Sequence, residues 1–106
     1  MKESDWKTFK VIKEKAIERF CSQALAEFSE TISNTDETVH DRYLLLYKLV
    51  HDRDKEMSRL FDGHSRSKAL MQLIAIRANG LADDSRVADL SDEFQEQTDP
   101  KRMGWK

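Results

Sequence analysis

Apolar residues recur at steps of three and four along the first third of the chain: Trp6, Phe9, Ile12, Ala16, Ile17, Phe20, Ala24, Leu25, Phe28 and Ile32. No Gly or Pro interrupts them, so the spacing predicts one helix over residues 5–33, about 43 Å long. Ser4 is the candidate N-cap, with Asp5 in the first turn where a carboxylate complements the helix dipole. From Ala16 to Ile32 the apolar positions advance in steps of four. Each such step turns the contact direction by ~40° at ~100° per residue, so the two ends of this helix should face different partners.

Asn34, Thr35 and Asp36 break the pattern, and Thr35 or Asp36 is the expected cap of a second helix over residues 37–62. Gly63 suits its C′ position, where the left-handed backbone costs glycine nothing. The main stripe of helix two is Val39, Tyr43, Leu46, Val50, Met57 and Phe61. Its middle is apolar nearly all round, with Leu44, Leu45, Leu46, Tyr47, Leu49 and Val50. One partner helix cannot cover that circumference, so Leu44, Leu45, Tyr47 and Leu49 form the candidate interaction surface.

Ser65 is the expected cap of a short third helix ending at Ala78, in which only Gln72 and Arg77 are polar beyond Ala69. Asn79 and Gly80 end it, with Leu81 placed for the contact that follows a Schellman cap. Beyond it, Val87 and Leu90 suggest a turn or two of helix, and Ser91 with Phe94 another. The expected fold is all-α, a long antiparallel helical hairpin plus a short apolar third helix and weak C-terminal turns. Residues 1–99 form one domain, and residues 100–106 a basic tail expected to be mobile unless Trp105 docks.

Charge adds a polarity that the net value of −2 hides. Residues 1–20 carry six basic and four acidic groups, whereas residues 21–41 carry five acids and no Lys or Arg. Residues 42–68 hold seven bases and four acids, and residues 81–99 seven acids against Arg86. An antiparallel hairpin therefore has an acidic tip and a basic base. The acidic 81–99 segment is expected to fold back on the basic pole, the alternative being that the pole binds an external anion. A balanced total gives no broad reason to expect nucleic acid or a membrane as partner, and no apolar run exceeds residues 43–47. A single cysteine, Cys21, excludes an internal disulfide and, with no secretory leader in the sequence, points to the cytoplasm.

Candidate chemistry is sparse. The loop and helix start at His64, Ser65, Arg66, Ser67 and Lys68 is the best anion-binding candidate, since free N–H groups, hydroxyls and cations suit phosphate or carboxylate. It lacks the Gly-x-x-x-x-Gly-Lys pattern of a P-loop. His51, Arg53, Asp54 and Ser58 form a polar strip or pocket candidate that interrupts the helix-two stripe. His51 and Asp54 are spaced for an acid–base pair, but Ser58 stands ~10 Å along the axis from His51, too far for a triad. Glu37 and His40 share the Glu-x-x-His spacing of di-iron bundles without the second pair those sites need. No metal site, cofactor or catalytic residue is assigned, and an enzyme is the less favoured reading. The favoured one is a helical protein acting by protein–protein interaction, self-associating as a dimer or docking a helical partner. The alternative is an anion- or nucleic-acid-binding module using the basic pole and residues 63–68.

Overall fold

The computed structural model describes residues 1–102 and is all-α, with no strand among them. Helix α1 spans Glu3–Ser33, α2 Val39–Phe61, α3 Arg66–Ala78, α4 Asp84–Val87 and α5 Asp92–Gln97. The molecule measures 53 × 23 × 22 Å, the length being set by α1 and α2 packed antiparallel. Among the described residues no helix is long and apolar enough to cross a membrane.

The helix ends follow local chemistry, with two departures from expectation. α1 begins earlier, at Glu3 after Lys2, and Ser4 lies inside it. Asp5 keeps its place in the first turn, but as a buried charge, 3% accessible. α2 begins later, because the Thr38 hydroxyl accepts from the Asp41 N–H at 3.1 Å and takes the capping role expected of Thr35 or Asp36. Gly63 follows α2 at φ +81°. α3 ends in the two bonds of a Schellman motif: Leu81 N–H donates to Ile76 and Gly80 N–H to Arg77. Gly80 sits at φ +68° and Leu81 is buried.

The core occupies one end of the hairpin. Phe9, Ile12, Ala16 and Phe20 of α1 meet Leu60 and Phe61 of α2, Ala69, Leu73 and Ile76 of α3, and Leu81, Val87, Leu90 and Phe94 of the C-terminal segment. The third helix is thus core, as its apolar sequence requires. The acidic 81–99 segment does fold onto this end, but through apolar anchors. Among the described residues, no ion pair joins its carboxylates to the bases of residues 1–20 or 42–68. At the chain's end, residues 100–102 continue from a turn and Arg102 pairs with Glu96. The docking of Trp105, and the rest of the tail, lie outside the described residues.

Candidate interaction surface

Two buried polar ties hold the base of the hairpin, and neither stands out in the sequence. The Asp5 carboxylate accepts the Ser91 N–H at 2.8 Å and its hydroxyl at 2.6 Å, which joins the start of α1 to the cap of α5. Lys13, 6% accessible, donates to the Gly63 carbonyl at 2.8 Å and to Gln72 Oε1 at 3.1 Å. Its ammonium also stands 3.3 Å from His64 Nδ1. Gln72 in turn donates to the carbonyls of Asp62 and Gly63. Burial lowers the Lys13 pKa from the usual lysine value, against the pull of nearby Asp62. The only early sign of these roles was position: Lys13 adjoins Ile12 on the α1 stripe, and Gln72 interrupts an apolar helix.

The anion-binding candidate is engaged within the fold. Arg66 pairs with Glu3 at 2.5 Å and lies over the Trp6 ring at 5.4 Å. His64 packs on the same ring, its centroid 5.0 Å from that of Trp6. Ser65 caps α3 by position without a side-chain cap bond, its hydroxyl meeting that of Ser67 at 3.1 Å. Lys68 is exposed, with its side chain against Gly63.

The polar strip of α2 divides between two sides of the helix. Arg53 turns toward α1 and binds Glu27 at 3.0 Å and Glu56 at 2.5 Å, and these carboxylates raise its pKa. The triad edges an open cavity of about 270 Å³ floored by Phe20, Ala24, Leu60 and Leu81. His51 and Asp54 point elsewhere, into a shallow groove with Tyr43, Leu46, Tyr47 and Val50. Ser58 is exposed. Glu37 precedes the α2 cap, so it shares no helix face with His40. Among the described residues no three His, Cys, Asp or Glu side chains converge as a metal shell requires.

The far half of the hairpin has no third layer. Most of the main stripe of α2 stays uncovered, with Val39 75%, Tyr43 69% and Val50 45% exposed. Arg42, Arg53 and Leu60 show why. Arg42 donates to the Ile32 carbonyl, Arg53 reaches Glu27, and Leu60 shares a cavity with Phe20, so α1 packs on their side of α2. That side lies ~70° round from the stripe. Only the C-terminal part of the stripe, Met57 and Phe61, joins the core. On α1, Leu25 and Ile32 are likewise 65% and 53% exposed, ~100° from the side facing α2. Because the helices run antiparallel, these rotations bring both exposed rows to one face of the hairpin. The other interaction candidates spread out: Leu44 points outward, Leu45 lies in a cleft with Glu27, Glu30 and Arg42, and Leu49 is half-buried. Tyr47 alone of the four borders the apolar face, beside Tyr43 and Val50. Compared with known protein families, curated proteins and solved structures, the chain matches none.

Proposed function

We propose that this protein acts by protein–protein interaction and that the apolar face of the hairpin arm is its contact surface. One observation carries the reading. Leu25, Ile32, Val39, Tyr43, Tyr47 and Val50 stand 45–75% exposed on one side of two packed helices. Large apolar patches of that kind mark contact sites, because their exposure to water is unfavourable until a partner covers them. Two adjacent helices offering one apolar face match the side of a helical bundle, so the partner is helical, with self-association the favoured form. A reducing cytoplasm suits the half-buried free thiol of Cys21. The anion-binding alternative gains less support, because Arg66 and His64 already have partners within the fold.

Chemical cross-linking in cells expressing the protein tests this reading. A discrete species above the monomer mass is expected, lost with Tyr43→Asp/Val50→Asp and kept with Arg66→Gln. Absence of any such species, or its persistence in the arm variant, defeats the proposal.

A further inference from the structure

The geometry points to a second copy of this chain as the occupant of the arm face, laid antiparallel across it to form a four-helix bundle. This inference rests on the interaction reading above and adds the partner and its direction.

Area is the first argument. Aromatic side chains offer ~200 Å² and aliphatic ones ~100 Å². At the exposures of Leu25 (65%), Ile32 (53%), Val39 (75%), Tyr43 (69%), Tyr47 (71%) and Val50 (45%), the face presents ~500 Å² of apolar surface. The half-buried Cys21, Phe28 and Leu46 and the polar rim extend it toward the ~800 Å² per partner of a stable interface.

Symmetry is the second. Leu25 and Ile32 are centred between residues 28 and 29, and Tyr43 and Val50 between residues 46 and 47. The Arg42 bond to the Ile32 carbonyl fixes the register of the two helices and brings these centres to about the same height. A two-fold axis through that level lays Leu25 of one copy on Ile32 of the other and Tyr43 on Val50. Such an isologous contact needs a self-complementary face, and this face is one. Phe28 and Tyr47 fall near the axis.

Charge chooses the direction. A parallel pair would place two tips side by side, each from a block of residues 21–41 with five acids and no Lys or Arg. The antiparallel pair separates the tips by ~20 Å, about twice the screening length at physiological salt. It also carries each acidic tip toward the 42–68 segment of the other copy, with its seven bases and four acids. The rim agrees, since His40 of one copy then stands level with Asp54 of the other.

Sedimentation equilibrium with a disulfide test decides the matter. Wild type is expected at twice the monomer mass. Leu25→Glu/Tyr43→Glu alters only exposed positions, so helicity stays and dimer affinity falls by ~100-fold or more, because each change acts twice across the axis. Ser29 is exposed on the α1 rim near the axis. In a Cys21→Ala background, Ser29→Cys oxidises to a covalent dimer if the arms are antiparallel, since α1 then lies on α1. A parallel pair holds the two thiols at opposite edges. Dissociation by the Glu variant without cross-linking of Ser29→Cys overturns the antiparallel arrangement. A monomer at ~100 µM overturns the second copy as occupant, while the cellular cross-linking above still judges the wider reading. A dimer indifferent to Leu25→Glu/Tyr43→Glu overturns both.

Discussion

Replacing Asp5 by alanine should loosen the hold of the hairpin on the C-terminal segment without melting the arm. The Asp5 carboxylate is 3% accessible and receives both the N–H and the hydroxyl of Ser91, 86 residues away in the chain. Ser91 is the cap of α5, its hydroxyl accepting from Phe94 N–H at 3.3 Å. Hydrogen bonds to a charged group are worth ~1.5–3 kcal/mol each, and a donor left without a partner is penalised further. Against this, the variant no longer has to desolvate a carboxylate. The net loss should be ~2–4 kcal/mol, which multiplies the opening constant of the segment by ~30 to ~1,000. Val87, Leu90 and Phe94 remain to hold the segment, so opening is more frequent but not complete.

Native-state hydrogen exchange reads this directly, as faster exchange at residues 87–98 with the amides of residues 46–56 unchanged. Ser91→Ala should give a related but smaller effect. The double variant should lose ~1–2 kcal/mol less than the two single losses added together, because both remove the same bond. Protection at Ser91 and Phe94 that stays within a few-fold of wild type in Asp5→Ala, or strict additivity in the cycle, refutes the reasoning.

Other perturbations follow from the same structure. Lys13→Met strips the donor from Gln72 Oε1 and one donor from the Gly63 carbonyl, and should lower unfolding stability by ~1–3 kcal/mol in urea; no change in midpoint contradicts the tie. The lowered Lys13 pKa means that the unfolded chain holds that proton to higher pH than the native one. Wild-type stability relative to Lys13→Met should therefore rise with pH in the alkaline window below the unfolded lysine value of 10.5, and a flat or falling difference rejects the assignment. The Arg66 bond holds the Glu3 carboxyl below its usual 4.5, so its small contribution is present above that pH and lost as pH falls. Arg66→Gln should raise the Glu3 titration midpoint by NMR, and an unmoved midpoint removes the pair. At Gly80, φ is +68° with nothing within 4 Å of an added Cβ, so Gly80→Ala should lose ~1–2 kcal/mol through backbone strain alone. A neutral result in thermal unfolding counts against the left-handed cap.

The sequence by itself determined the helices and most of the punctuation between them, though not the caps of α1 and α2. Period and breaker residues are local properties, so Gly63, Gly80, Ser65 and Ser91 mark the same boundaries in sequence and structure. The apolar composition of α3 likewise required its burial. The sequence also announced that the middle of α2 could not be covered by one helix, because Leu44, Leu45, Tyr47 and Val50 surround it. What it did not decide was which side of α2 would meet α1. A helical wheel ranks apolar faces but is blind to Arg53, whose pairing with Glu27 and Glu56 makes a charged position part of the helix contact.

That choice left Val39, Tyr43 and Val50 uncovered although they had the marks of core, and turned their row to the same side as Leu25 and Ile32. Asp5 and Lys13 show the same limit from the polar side. Their partners are 86 and 50 or more residues away, and only the tertiary fold brings together groups so distant in the chain. The candidate face is thus local in composition and tertiary in shape. Each half is readable as an apolar helix row, but their union on one side of the hairpin depends on how two helices rotate against each other.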